Sequence, residues 1–405
     1  MARRWLRALA WPWVALRWAW NYLGGGSLAR VAIRAMIVLA ALGVGALLFV
    51  AAGLVPVAAS AGHWPVTRVL LHFAMRRSVA THSLGIEAPP LDDPDLVLKG
   101  AGHYASGCMP CHGAPGQPRA LVARQIVPEP PYLPPIARDF APAERFWVVK
   151  HGIKYTAMPA WPSQRRDDEV WAMVAFLQRL PDMSPERFRQ LAYGDGATGD
   201  DPADVTSAPG ATLSTLNMPT PSTLANCARC HGSDGEGRGG AVPRLAGQRE
   251  AYLLGSLRAY ARGDRDSGIM QPVAAALDAA EITALARHYA SLDSRQASPS
   301  AQPDTDAVER GATLATDGDA ARRIPACVAC HGPGAEKRNP HYPRLAGQHA
   351  DYLQLQLTLF NNGMRGGSAY APIMHTVAGS LEPRDIRDLA AFFSSLPATP
   401  QAPAD

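Results

Sequence analysis

Residues 227–248, CARCHGSDGEGRGGAVPRLAGQ, and residues 327–348, CVACHGPGAEKRNPHYPRLAGQ, are two copies of one unit. Both open on Cys-x-x-Cys-His and close on Pro-Arg-Leu-Ala-Gly-Gln, at an offset of 100 residues. Tyr-Leu follows in each, at 252–253 and 352–353. A four-residue insertion then widens the offset to 104, so Leu292 matches Leu396. Self-similarity at a fixed period marks a repeated structural unit. Cys108–His112 carries the first motif a third time without the hexapeptide, and all six cysteines of the chain lie in these three motifs.

Two thiols on one helical turn can bond the two vinyl groups of a haem, and the adjacent histidine then reaches the iron from one side. The rival readings of a Cys-x-x-Cys pair fit less well. A tetrahedral zinc site needs a second ligand pair near the first, and the remaining histidines do not fall at pairing distances. A thioredoxin-like redox pair sits near a βαβ pattern, and none is visible. A disulfide framework scatters its cysteines. The expected cofactors are three covalently bound haem c groups, attached at Cys108 and Cys111, Cys227 and Cys230, and Cys327 and Cys330. His112, His231 and His331 are the expected proximal iron ligands.

Outward from the motifs, 405 residues imply two to four domains. The run Met36–Ala59 holds 24 residues without a charge, roughly 36 Å as a helix and enough to span a bilayer. Six arginines and no acidic residue precede it (Arg3, Arg4, Arg7, Arg17, Arg30, Arg34), so the positive-inside bias puts the N-terminus in the cytoplasm. A cleavable signal peptide would have a shorter apolar core and a shorter basic region. Five of the nine tryptophans precede residue 21 and suggest an interfacial tail. The formal net charge of +4 belongs to that tail, because residues 35–405 sum to −2. Nothing in this balance points to nucleic acid. Beyond the span, Val69, Leu70 and Phe73 recur at helical spacing, which predicts a helix on the outer membrane surface or against a partner. His63, His72 and His82 lie there without a spare Cys-x-x-Cys and read as exposed or packing residues.

The expected plan is a tail (1–34), a transmembrane helix (35–62), a juxtamembrane segment (63–91) and three haem modules (92–192, 219–293, 304–397). Breaker-rich linkers at 193–218 and 294–303 separate them, and the modules should fold as separate beads whose contacts the linkers permit. Amphipathic helices are predicted at Asp168–Leu180, Glu281–Leu292 and Asp385–Leu396, with acidic residues in the first turn and Pro181 and Pro397 as stops. Pro219 and Pro221 obstruct a long first helix in module two. An insertion moves Gly311 of module three away from Cys327.

The motifs and terminal helices resemble class I cytochromes c, and modules two and three together resemble a cytochrome c4-type tandem. Module one, with Gly100-x-x-x-Tyr104-x-x-x-Cys108, is similar to monohaem domains found beside respiratory complexes. The resemblance covers roughly residues 92–397. It implies a mainly α fold: one N-terminal transmembrane helix followed by three small all-α class I cytochrome c domains.

The second axial ligand separates electron transfer from catalysis, since a Met thioether closes the iron while an open site binds small molecules. Met270 is the one methionine of module two beyond His231. In module three the repeat favours Met374, because Met364 aligns with Asp264. Met158, in Ala-Met-Pro before the last helix, resembles the family's distal-ligand loop, whereas Met173 reads as core. All three are expected in loops ahead of the terminal helix. The family also implies a proline carbonyl holding the proximal histidine. Pro243 and Pro343 fit that place, while Pro128–Pro135 leaves the choice open in module one. Arg244 and Arg344 suit a haem propionate as guanidinium partners.

These residues lead to a single-pass inner-membrane protein with periplasmic haem domains that relays single electrons. Its expected partners are a quinol-oxidising complex or dehydrogenase on one side and a terminal oxidase or soluble cytochrome on the other. No catalytic residue set is evident. The rival readings are a cytochrome subunit of an integral oxidoreductase complex and a peroxidase-type enzyme with one open iron.

Overall fold

The computed structural model describes residues 28–194, 223–294, 304–332 and 339–398. The tail tryptophans, most of both linkers, and Pro219 and Pro221 lie outside the described residues. The described chain is mainly helical: two isolated bridges are its only β pairing.

Helix α1 (Leu28–Ala51) contains the one described segment long and apolar enough to cross a membrane, Arg30–Ala51, with mean hydropathy 2.4. It starts and ends earlier than the expected 35–62. Gly53 takes a left-handed φ of +68° and Pro56 has no N–H to continue the ladder, so residues 52–59 leave the helix despite their apolar character. This unit ends at Gly62.

The second unit begins at His63. Helix α2 (Pro65–His82) opens with Pro in its first turn and buries Val79. Val66, Val69, Leu70 and Phe73 form an exposed stripe along it. Module one follows with α3 (Pro94–Gly107), α4 (Met109–His112), α5 (Pro142–His151), α6 (Asp167–Arg179) and α7 (Pro185–Tyr193). Asp93 caps α3 by accepting from Asp95 N at 2.9 Å. At Gly100, α3 crosses α6 so closely that a Cβ would stand 2.3 Å from the Ala172 carbonyl oxygen. Tyr104 packs on Phe176 and Phe188, with ring centroids 4.9 and 6.1 Å away. Its hydroxyl donates to the Gly113 carbonyl at 2.7 Å. Helix α7 was not expected beyond the stop at Pro181. Ser184 restarts the chain by accepting from Arg187 N at 3.2 Å, and α7 then buries Phe188 and Ala192 completely.

Module two contains α8 (Thr223–His231), α9 (Glu250–Arg262), α10 (Met270–Ala275) and α11 (Ala279–Ser291). Asp278 and Glu281 form a reciprocal capping box at the start of α11, with hydrogen bonds of 2.8 and 3.0 Å. Module three contains α12 (Thr305–Asp317), α13 (Val328–His331), α14 (Ala350–Asn361), α15 (Ala371–Ala378) and α16 (Pro383–Ser395). Gly311 repeats the helix crossing of Gly100, with a Cβ position 2.0 Å from the Asp388 carbonyl oxygen. The extra residues before Cys327 fold into a small loop closed by the Asp319–Ile324 bridge, so the crossing is kept. The terminal helices start one or two residues before the expected positions and end one residue earlier.

The modules are docked on one another within the second unit. The hexapeptide repeat forms a reciprocal seam between modules two and three. Arg244 N donates to Gln348 Oε1 and Arg344 N to Gln248 Oε1, both at 2.9 Å. Gln348 Nε2 returns a bond to the Arg244 carbonyl at 2.9 Å, and Gln248 Nε2 to the Arg344 carbonyl at 3.0 Å. The Arg244 guanidinium donates to the Gly347 carbonyl and that of Arg344 to the Gly247 carbonyl. Each copy of the motif therefore satisfies the buried backbone groups of the other.

Candidate functional site

Each Cys-x-x-Cys-His motif lies on a single turn. His112 N donates to the Cys108 carbonyl and His331 N to the Cys327 carbonyl, both at 2.9 Å. This curl keeps both thiols and the imidazole of a motif within one turn. All six thiols are free. Burial first, then the neighbouring motif cysteine, pushes the Cys108 thiol up to about 12 and the Cys227 thiol up to about 11. Burial also pushes Cys327 up to about 11.

The three histidines share one orientation. Nδ1 donates to the carbonyl of Pro131 at 3.0 Å for His112, of Pro243 at 3.1 Å for His231, and of Pro343 at 2.9 Å for His331. A carbonyl only accepts, so Nδ1 carries the proton and Nε2 keeps its lone pair for a metal. Burial holds all three imidazoles below the usual histidine range, and so neutral, despite the proline bonds that oppose it. Pro131 is the residue that the proline-rich stretch 128–135 left open. It stands 19 residues past its histidine, against 12 in the other two modules, so the repeat offered no guide to it.

Module three brings its predicted residues together. A cavity of about 750 Å³ is lined by Cys327, Cys330, His331, Pro343, Arg344 and Met374 among others, and Met364 does not line it. The predicted methionines differ in setting. Met158 lies in an irregular segment, its N–H bonded to Thr156 Oγ1 at 3.1 Å. Met270 opens α10, and Met374 sits inside α15. Two of the three expected loops are therefore short helices. All three side chains are half-buried, while Met173 is in the core of module one.

Arg244 is engaged by Glu236 at 2.7 Å as well as by the seam, and Arg344 by the Gly247 carbonyl at 2.9 Å. Both therefore already have protein partners, and Arg344 also lines the cavity. Two further arginines at that cavity escaped the sequence reading. Arg265 donates to Tyr352 Oη at 3.3 Å and Gln356 Oε1 at 3.2 Å, and Arg365 donates to Tyr252 Oη at 2.8 Å. They are one repeat apart, and so are the tyrosines, which was the available signal. Among the described residues neither arginine has a carboxylate in ion-pair range. Buried cations favour a paired anion. The cavity thus offers two thiols, a metal-ready imidazole, a thioether and cations suited to carboxylates. That donor set fits haem c.

The comparisons agree with this chemistry. Residues 95–177 match the family model described as cytochrome c oxidase, cbb3-type, subunit III, and residues 209–293 and 308–397 match the cytochrome c model. The thiosulfate dehydrogenase electron acceptor of Thiomonas intermedia (strain K12) is 38% identical over 181 residues, 44% of this chain and 82% of that protein. Cytochrome c4 of Azotobacter vinelandii is 33% identical over 181 residues, 42% of this chain and 85% of that protein. The solved structure of reduced recombinant cytochrome c4 from Pseudomonas stutzeri has 31% identity and a TM-score of 0.39, covering 43% of this chain and 94% of that one.

Proposed function

On the premise that this chain belongs to the class I c-type cytochromes, with a cytochrome c4-type tandem in its C-terminal half, we propose that it is a membrane-anchored trihaem electron relay. The observation that carries the reading is the module-three cavity, where Cys327, Cys330, His331 and Met374 line one space. Bound there, haem c supplies a one-electron change at iron. The protein contributes attachment, orientation and burial. Cys108 and Cys111, Cys227 and Cys230, and Cys327 and Cys330 attach the three groups. The Pro131, Pro243 and Pro343 carbonyls fix the rings of His112, His231 and His331. Met158, Met270 and Met374 would supply the thioether ligands to iron. Arg265 and Arg365 take the propionate role alongside Arg344.

The anchor is α1, with the haem modules in the periplasm and modules bounded at 92–192, 219–293 and 304–397. Electrons enter from a quinol-oxidising complex or a dehydrogenase and leave to a terminal oxidase or soluble cytochrome. The thiosulfate dehydrogenase electron acceptors among the relatives favour a dehydrogenase oxidising a sulfur compound as donor. A second reading, a stable subunit of a membrane oxidase, is favoured by the family match of residues 95–177 and by the exposed stripe on α2.

The test is haem stoichiometry and redox spectroscopy on the detergent-purified chain. Three covalent haems, each oxidised form carrying the methionine–iron charge-transfer band, are expected. Fewer than three, or one that lacks the band and binds cyanide readily, would overturn the relay and favour an open-iron enzyme. Purification with an intact oxidase in mild detergent would select the second reading.

A further inference from the structure

The face between modules one and two joins the two attachment motifs through one ring. Arg229 lies between Cys227 and Cys230, and Met109 between Cys108 and Cys111. The Arg229 guanidinium sits over the Tyr193 ring at 5.0 Å, and the Tyr193 hydroxyl contacts Met109 Sδ at 3.9 Å. Arg229 also donates to the Gly102 carbonyl at 2.8 Å. Gly102 is what admits module two here: a Cβ would stand 2.9 Å from Cys230 Sγ. Gly102 and Cys108 belong to the same stretch of α3 and its cap, about 9 Å apart along the axis. Arg238 reinforces the face by donating to the Gln190 and Leu191 carbonyls at the end of α7, at 2.6 and 3.1 Å.

A second, separate contact holds the methionine sides. Glu169, 2% exposed, lies on α6 of module one and accepts four donors. Trp161 Nε1 at 3.3 Å and Arg166 at 3.0 Å come from module one. Ser267 Oγ at 2.6 Å and Gly268 N at 2.5 Å come from module two. Ser267 Oγ in turn accepts from Met270 N at 2.9 Å. Trp161 stands three residues past Met158 and packs on Gly268, where a Cβ would be 1.9 Å from its Nε1. One buried carboxylate thus ties the Met158 segment to the turn that presents Met270.

We propose that this face is a fixed internal electron-transfer junction, with Arg229, Tyr193 and Glu169 as its positioning residues. It rests on the relay proposed above and adds where the first module connects. Across it a single electron leaves the reduced haem c of one module and enters the oxidised haem c of the other. No bond breaks and no proton moves. Seating on both the thiol side and the thioether side removes the freedom that a linker alone would leave, which is how a rigid scaffold holds a reacting geometry.

The experiment uses the full haem-loaded chain. In the unmodified protein, the oxidised irons of modules one and two are expected to show magnetic coupling by electron paramagnetic resonance. After light-triggered injection of one electron, equilibration between these modules should be rapid and independent of protein concentration. Arg229→Ala and Glu169→Gln should slow that step severalfold while haem count, methionine bands and the equilibration between modules two and three stay unchanged. Gly102→Leu, which must displace Cys230, should slow it further. Absence of coupling in the unmodified chain, or an unchanged rate in all three variants, overturns the junction. A chain without three methionine-ligated haems would instead overturn the relay itself.

Discussion

Replacing Gln348 by Leu tests the seam between modules two and three. The substitution supplies an apolar side chain of about the same bulk and removes the amide. Arg244 N and the Arg244 carbonyl then lose the only partners described for them, at 2.9 Å each. Arg244 is 5% exposed and Gln348 7%, so water has little access to replace the bonds. An orphaned buried polar group costs roughly 1–3 kcal/mol. Two groups therefore cost about 2 kcal/mol at the low end, which shifts the melting point of a domain this size by roughly 8 °C or more. The unmodified chain should melt modules two and three together by calorimetry with haem absorbance. The variant should split them, the weaker module melting first. Gln248→Leu should have a similar effect, because it orphans Arg344 in the same way. A shift under about 1 °C, or a large effect from one glutamine and none from its counterpart, would refute reciprocal support.

Three further outcomes follow from particular residues. Met374→Ala should remove one of three methionine–iron bands and lower one of three midpoint potentials, leaving the other two unchanged in a redox titration. Gly311→Ala should destabilise module three by about 1–3 kcal/mol by overpacking against the Asp388 carbonyl, outweighing the gain of about 1 kcal/mol in helix propensity; urea unfolding of module three would measure it. His103, in ring contact with Trp161 at 4.7 Å, is pushed down to about 4 by burial first, then by Arg229 and Lys99. The unfolded chain then binds a proton that the folded one refuses, so stability at the junction should fall as pH drops from about 6.5 toward 4. His103→Gln should flatten that part of a stability–pH profile.

The repeat, the attachment motifs and the terminal helices were legible because each depends on local spacing. Other features depend on what the chain meets in space. The hexapeptide was visible twice, yet its reciprocal bonding requires the two copies to face each other. Pro131 was hidden among neighbouring prolines that are equivalent until the backbone is placed. Helix α7 was masked because Pro181 reads as a stop, while Pro185 four residues on is a first-turn residue. Arg265 and Arg365 were readable at the repeat offset, but a lone arginine in sequence looks like surface. Glu169 carried no motif; a buried carboxylate reveals itself through the donors that surround it.

The seam of paired hexapeptides has a consequence for assembly. Its six hydrogen bonds come as three matched pairs, so the surface of one half is complementary to a copy of itself. That is the property of an isologous twofold contact. A single domain bearing Pro-Arg-Leu-Ala-Gly-Gln would be equipped to pair with its twin, and tethering two such domains in one polypeptide turns a concentration-dependent dimer into a permanent one.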